Sequence, residues 1–352
     1  MNSKKTNNLI SVENAQEIIF SKFKKLETIK KKLIDSSGFI LEKEIKALFD
    51  LPNKNNSAMD GFAVRYEDLE PNKSLKVVGR VGAEAITDYV LKKDEALRIM
   101  TGSGIPEGAD SVVPFEKTNN NPHKGNDFPD SVLINETVKK GDNIRLSGQD
   151  YKFGETVVKG GMLIDPPIVG AIASFGINEV SVIRKPMVSV ISTGNELVMP
   201  GDKLKEGQIY DSNSFAISSA IKNSGADFKM HRILSDNKED VDKLYEDCSQ
   251  SDLIVTIGGV SKGDFDLIRD AISSKGSIDF WGINMKPGKP LAFGQVKIKG
   301  KNLFHIGLPG NPVSSYVCFE LFIRPVLLKM QGIKNIHRKK VSAKINTDIN
   351  NN

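Results

Sequence analysis

The rhythm of apolar and polar positions changes three times along this chain, and each change predicts a different kind of structure. Between Ser11 and Lys32, residues Ile18, Ile19, Phe23, Leu26 and Ile29 recur at helical spacing. That pattern predicts one amphipathic helix over the whole span. Ser11 stands where an N-cap belongs, with Asn14 where a capping box prefers Glu or Gln. A second short helix is expected near Leu41–Ala47. From Ser57 to about Asn143 short alternating runs take over, at Leu75–Val81, Ala96–Met100, Ser111–Phe115 and Ser131–Ile134. They predict a small β domain. Asn119–Pro129, polar and broken by Gly and Pro, is an exposed loop.

Beyond Ile144 comes a turn at Gly160-Gly161, then a helix over Pro167–Phe175 that stops at Gly176. At Pro186 the pattern changes again. Apolar strands are expected at Val188–Ser192, Phe228–Leu234, Leu253–Ile257 and Leu303–Ile306. Helices are expected at Ser214–Asn223, Lys238–Ser249, Asp266–Ser274 and Pro312–Met330. Strands alternating with helices of this length predict a three-layer α/β domain around a mostly parallel sheet. The resulting division is residues 1–56 with 144–185, an inserted β domain at 57–143, an α/β domain at 186–333, and a tail at 334–352. No internal repeat is visible.

Composition narrows the class. The 352 residues exceed one ordinary core, and 39% hydrophobic with 26% charged residues describes a soluble globular protein. The net charge of +5 is concentrated in lysines near the N-terminus and at Arg338, Lys339 and Lys340. A solvated helix face and a basic tail account for it. No nucleic-acid module or aromatic-interleaved basic patch is present. No run reaches the roughly 18 apolar residues of a membrane span, and no apolar leader follows Met1, so a cytoplasmic protein is expected. Cys248 and Cys318 lack metal-ligand or redox spacing and read as reduced thiols.

The chemistry gathers in two glycine loops. Thr256-Ile-Gly258-Gly259-Val-Ser261-Lys-Gly-Asp264-Phe-Asp266 and Gly307-Leu-Pro309-Gly310-Asn311-Pro312-Val-Ser314-Ser315 each follow a strand and precede a helix. Such loops let the backbone approach a ligand, with helix N–H groups directed at an anion. Two of them suggest phosphate or another oxyanion at more than one position. Glu196, Asp236, Asp264 and Asp266 lie at strand ends or in the first loop. Each could cap a helix or bind a loop. Gathered in one crevice they would suit Mg²⁺ shared with phosphate oxygens. Lys286-Pro-Gly-Lys289-Pro offers two lysines on a stiff turn, either merely solvated or binding an anion. Asn56-Ser-Ala-Met-Asp60-Gly, Arg98-Ile-Met-Thr101-Gly-Ser-Gly and Ser147-Gly-Gln-Asp150 are weaker signals, since turns commonly use these residues.

Together the stretches NSAMDGFAV, RIMTGSGIPEGADSVVPFE, SGQD, STGNEL, GQIYDSN, GGVSKGDFD, MKPGKPLAFG and GLPGNPVSS resemble the molybdopterin molybdenumtransferases, the family that includes the E domain of gephyrin. The resemblance runs from about Ser11 to Gly332. It implies an elongated homodimer that takes adenylylated molybdopterin and molybdate, and yields molybdenum cofactor and AMP with Mg²⁺. It implies an active cleft between the α/β domain of one subunit and the inserted domain of the other. Carried over position by position, Asp60, Asp150, Glu196, Asp236 and Asp266 match the family's functional acids, and Thr101, Lys286, Pro309 and Pro312 match other functional positions. The expected roles follow: Glu196 and Asp236 near metal and phosphates, Asp266 positioning substrate. Lys286, Lys289 and the backbone of Gly258, Gly259 and Ser261 would hold anions, with Gly310, Asn311, Pro312 and Ser314 in the second loop. Asp60, Thr101 and Asp150 would complete the cleft across the dimer. The molybdopterin adenylyltransferase and apo-molybdoenzymes are the protein partners implied.

Two departures stand out. Gly282 follows Trp281 where some relatives carry a lysine. The family's C-terminal barrel needs more chain than follows Gly332, so that domain is expected to be missing, with Arg338–Ile345 at most its first strand. Two other readings are a molybdopterin adenylyltransferase, whose α/β domain is similar, and a non-catalytic molybdopterin-binding scaffold.

Overall fold

A computed structural model describes residues 9–82, 88–120, 129–194, 196–232, 238–258 and 276–348. Two compact units divide the chain. One comprises Glu44–Lys159 and Ala171–Gly176; the other comprises Met1–Lys43, Gly160–Gly170 and Ile177–Asn352.

The first unit is built on a five-stranded sheet of β1 (Gly61–Val64), β2 (Lys73–Val81), β3 (Glu95–Ile99), β4 (Ser111–Pro114) and β5 (Ser131–Ile134). Their order is β4-β1-β3-β2-β5, antiparallel except for β2 beside β3. Four of these are the strands that the alternating runs predict; β1 (Gly61–Val64), short and buried along its whole length, is not among those runs. Phe62, Val64, Leu75, Val113 and Ile134 fill one core cluster, while Ala63, Leu97, Ile99 and Val112 fill another. The period of two thus leaves both faces of this sheet buried. Outside it, Asn56–Ser57 pairs with Ile144–Arg145, and Ile45–Lys46 with Thr156–Val158.

In the second unit, Ser11 caps helix α1 (Val12–Lys22) by accepting the Asn14 N–H at 3.1 Å. The helix is half as long as the periodicity predicts. Phe23 is already extended, and Thr28–Lys32 is a strand antiparallel to Glu179–Ile183. The short helix expected at Leu41–Ala47 is absent too. Ile40–Leu41 pairs with Val182 and Ile183, and Ile45–Lys46 is also strand. In each case a distant partner strand overrides the local rhythm. Helix α2 (Pro166–Ala173), whose residues are divided between the two units, ends two residues short of the expected Phe175, and Gly176 N–H donates to Ala173 O in the turn that follows.

The rest of this unit is a three-layer α/β domain. Its elements are β6 (Met187–Ser192), α3 (Ser212–Asn223), β7 (Asp227–Arg232), α4 (Lys238–Asp247), β8 (Leu253–Ile257), β9 (Gly276–Trp281), β10 (Ala292–Ile298) and β11 (Lys301–Leu308). Helix α5 (Pro312–Cys318) continues through a π-helical turn, Phe319–Ile323, into α6 (Arg324–Met330). The sheet order is β7-β6-β8-β11-β10-β9. The first four strands are parallel; β10 and β9, which the sequence analysis leaves out, extend the sheet antiparallel. Val188, Val190, Val255, Ile306 and Leu308 face a cluster with Ile19 of α1, Ile217 and Ile221 of α3, and Phe322 and Val326 of the last helix. On the other face Ile191, Ile254, Val296 and Leu303 pack against Tyr245 and the adjoining Cys248 at the end of α4. Both cysteines are free and buried, and burial pushes the Cys318 thiol up to about 12.

Pro325 has no N–H to offer the Leu321 carbonyl, and Gln16 Nε2 of α1 donates to that carbonyl instead at 3.0 Å. Arg184 binds both Asp252 oxygens, at 2.6 and 2.8 Å, and also Glu27. It joins the start of β6 to the start of β8. The helix expected at Asp266–Ser274 lies outside the described residues. Arg338–Ile345, considered above as a barrel strand, contains no strand.

Candidate functional site

Parallel strands place their carboxyl ends on one edge, and there the loops that follow them meet. After β6 the chain runs through Thr193 and Gly194 to Glu196; after β8 it reaches Gly258; after β11 it enters Pro309-Gly310-Asn311-Pro312. Backbone bonds tie these ends together, with Thr193 N–H on Ile257 O at 3.2 Å and Gly258 N–H on Leu308 O at 3.1 Å. They enclose a cleft of about 140 Å³ lined by Thr193, Glu196, Tyr210, Asn213, Gly258, Gly310 and Pro312, among others.

Two glycines make the close approach possible. The Glu196 carboxylate folds over Gly194, where an added Cβ would fall 2.6 and 2.7 Å from its oxygens. Gly258 has φ +87°, and a Cβ there would stand 2.9 Å from Thr193 O. Leu197–Val198 and Ile209–Tyr210 form a small parallel pair beside the cleft, and Ile209 N–H donates to Glu196 O at 2.9 Å.

Two helices begin at the cleft. Asp211 caps α3, accepting from Ser214 N–H at 3.1 Å and from the Ser214 hydroxyl, so its buried carboxylate is already engaged. Asn311 caps α5 in the same way through Ser314 N–H at 3.1 Å. Pro312 has no N–H, and Ser315 N–H goes to Asn311 O. The α5 terminus therefore presents fewer N–H groups than the loop sequence suggests. Among the described residues, Gly310, Asn311 and Val313 keep uncommitted N–H groups.

Lys286 and Lys289 are exposed and do not line this cleft. Two antiparallel steps make β9 run in the same direction as β11, so the turn after Trp281 lies at the same sheet edge. Helix α5 supports that turn through a weak contact of Cys318 Sγ with Gly288 O at 3.7 Å. Gly282 has φ +93°, and a Cβ there would lie 3.0 Å from Leu9. A lysine at that position would be strained as well as crowded.

In the β-sheet unit, Asp60 and Thr101 are partners. Asp60 Oδ1 accepts from both the Thr101 N–H and the Thr101 hydroxyl, each at 2.7 Å. These bonds, helped by the charge of Arg98, hold the Asp60 carboxyl below its usual range despite partial burial. Asp150 is paired with Arg145. The Asn56–Ser57 strand links the two pairs, since Asn56 is opposite Arg145 and Ser57 O accepts from Gly102 N–H at 2.8 Å.

Of the residues singled out in the sequence, Glu196, Gly258, Gly310 and Pro312 line the cleft, while Asn311 and Ser314 form the cap beside it. Asp236, Gly259, Ser261, Asp264 and Asp266 lie outside the described residues. Sequence reasoning missed Asp211, Asn213 and Ser315. Asp211 had a readable signal, an acid three residues before a serine at a helix start. Asn213 and Ser315 had none, because their partners are backbone carbonyls.

The described cleft lining offers oxygen donors and no His or Cys, which in kind suits a hard cation such as Mg²⁺. No group of three His, Cys, Asp or Glu side chains that could hold a metal occurs among the described residues. A metal there would rest on Glu196 and on oxygens of the ligand. No helix among the described residues is long and apolar enough to cross a membrane.

Residues 10–176 match the family model described as MoeA N-terminal region (domain I and II), and residues 189–329 match that of a probable molybdopterin binding domain. A molybdopterin molybdenumtransferase of Staphylococcus epidermidis is 35% identical over 350 residues, 97% of this chain and 80% of that protein. One from Haemophilus influenzae is 37% identical over 303 residues, 86% of this chain and 72% of that protein. The crystal structure of the molybdopterin biosynthesis MoeA protein from Pyrococcus horikosii superimposes with a TM-score of 0.72 at 33% identity, covering 93% of this chain and 81% of that one. With identity above 30% to proteins it spans for most of their length, the chain belongs to the molybdopterin molybdenumtransferase family.

Proposed function

We propose that this chain transfers molybdenum from molybdate to adenylylated molybdopterin, releasing AMP, as a cytoplasmic homodimer that uses Mg²⁺. The observation that carries this reading is the cleft in which Glu196 faces the Gly258 and Gly310 loops. It joins one uncapped carboxylate to backbone N–H groups suited to a phosphoanhydride. Gly310, Asn311 and Val313 N–H groups bind phosphate oxygens, and Lys286 and Lys289 bring positive charge from the neighbouring turn to the molybdate. Glu196, with Asp236, holds the cation; when bound, Mg²⁺ neutralises charge on the phosphoanhydride as it is cleaved. Asp266 positions the substrate. Asp60 with Thr101 acts from the inserted domain of the second subunit, and Asp150 with Arg145 from the dimerisation region beside it. Residues 1–56 and 144–185 supply the dimerisation region in this scheme, 57–143 the inserted domain and 186–333 the molybdopterin-binding domain.

The test is single-turnover release of AMP from adenylylated molybdopterin by the purified 352-residue chain, with Mg²⁺, with and without molybdate. Molybdate-dependent release accompanied by cofactor formation is expected. Tight pterin binding without AMP release would replace the reading with a scaffold, and ATP consumption on free molybdopterin would replace it with an adenylyltransferase.

A further inference from the structure

The loop Pro309-Gly310-Asn311 has an unusual division of its polar groups. All three of its carbonyls are accounted for by the protein. Asn213 Nδ2, from the first turn of α3, donates to Gly310 O at 2.7 Å. The Ser315 hydroxyl donates to Pro309 O and lies 3.0 Å from Asn311 O, so its single proton is shared between them. Asn311 O also accepts Ser315 N–H at 2.9 Å. Pro309 has no N–H, and the N–H groups of Gly310 and Asn311 donate to nothing among the described residues.

A loop whose acceptors are all engaged and whose donors are free is polarised toward an anion. A peptide plane carries its C=O and N–H in opposite directions. Holding the Gly310 carbonyl on Asn213 therefore also fixes where the Asn311 N–H points. Ser315 is almost fully buried at 1% exposure, so its position is set by core packing. Asn213 lines the cleft with Gly310 and needs only a local hydrogen bond to act.

We propose that Asn213 and Ser315 are positioning residues for substrate binding. They turn the carbonyls of the Pro309–Asn311 loop onto the protein, so that this loop has only N–H groups, Gly310 N–H at the cleft and Asn311 N–H beside it, left to offer the substrate phosphate. The proposal rests on the reading of this cleft as the site for adenylylated molybdopterin. It adds two side chains that need not touch the substrate, and it makes the second glycine loop a prearranged anion site.

The experiment compares wild type with Asn213→Ala, Asn213→Asp, Asn213→Gln and Ser315→Ala, in steady-state AMP release with adenylylated molybdopterin as the varied substrate. Thermal unfolding of each variant serves as the folding control. Asn213→Ala should raise KM about tenfold with kcat nearly unchanged, because the N–H groups bind phosphate alike in ground and transition states. Asn213→Asp cannot donate to Gly310 O and adds a negative charge, so KM should rise about 100-fold. Asn213→Gln keeps a donor and should recover most of the affinity. Ser315→Ala should follow Asn213→Ala in KM; because its burial invites unfolding, the surface-reachable Asn213 series decides if it does not fold. Wild-type KM in both Asn213→Ala and Asn213→Asp would overturn the proposal. A fall in kcat at constant KM would also overturn it, by moving Asn213 to the reacting atoms. If wild type itself neither binds the adenylate nor releases AMP, the functional reading fails first, and that outcome is separate from any variant effect.

Discussion

His305 gives the sharpest test of the physical reasoning, because its chemistry conflicts with its surroundings. It lies in β11 on the sheet face that α4 covers. It is fully buried, and neither ring nitrogen has a hydrogen-bond partner among the described residues. Burial alone pushes its pKa from 6.5 down to about 3. In the unfolded chain the imidazole titrates near its ordinary value. Above pH 6.5 both states are neutral, and the stability linked to this group is fully present. As pH falls toward 3, the unfolded state takes up a proton that the folded state refuses, and that stability is lost. Between pH 7 and pH 5 the loss is about 2 kcal/mol, at 1.36 kcal/mol per unit of pKa difference. His305→Leu removes the titration and both unsatisfied nitrogens. Its stability at pH 7 should exceed wild type by about 1 kcal/mol, the scale of one buried unsatisfied group. The assay is urea unfolding at pH 7 and pH 5, followed by the single tryptophan, Trp281, which sits in β9 of the same sheet. His231, also pushed down by burial, titrates in both proteins and cancels in the difference. Wild type should lose about 2 kcal/mol more than His305→Leu on going to pH 5. Equal losses would refute the reasoning, since they would mean that the folded protein protonates His305 as readily as the unfolded chain does.

Three further outcomes are expected. Gly258→Ala combines a left-handed φ of +87° with a Cβ 2.9 Å from Thr193 O, so denaturant unfolding should show a loss of about 2 kcal/mol; a loss under about 0.5 kcal/mol would mean that the loop relaxes freely. Glu196→Ala and Lys286→Ala should each cut AMP release by tenfold or more, on the scale of a lost charged contact, with unchanged circular dichroism; normal turnover in both would remove them from the site. Thr101→Val deletes one of the two donors to Asp60, so the Asp60 pKa should climb back toward its ordinary value in a carboxyl ¹³C titration, and an unmoved pKa would show that the hydroxyl bond contributes nothing.

The α/β domain was legible because its parallel strands are buried on both faces and read as plain apolar runs, as at Leu253–Ile257. Ser11 was legible as a cap because capping is local in sequence; Asn311, singled out for its glycine loop, was not read as the cap that it is. Thr28–Lys32 was not legible, since Leu26 and Ile29 prolong a helical rhythm by chance and the deciding partner is Glu179–Ile183. β9 and β10 escaped notice because the lysine-rich turn between them drew the reading toward chemistry and away from strand pairing. In the site, Glu196 could be foreseen because an acid just past a strand end has few places to go. Asn213 could not, because its partner is the carbonyl of Gly310, and nothing in a sequence marks which carbonyls need a donor.

The π turn at Phe319–Ile323 has a consequence for the length of the last helix. Such a turn is an α-helix carrying one additional residue. Because each α-helical residue advances about 100° around the axis, α5 and α6 are out of rotational phase by about that amount. Across the turn Ser315 and Cys318 reach the glycine loop and the lysine turn, and Cys318 still packs with Phe322, Val326 and Met330 in the core against the sheet. Removing one residue from the turn would restore ideal helical pitch and swing one half away from its partners. In this segment a deletion that improves local regularity would dismantle either the loop support or the core, so the helix must keep its count of residues even where its individual side chains could vary.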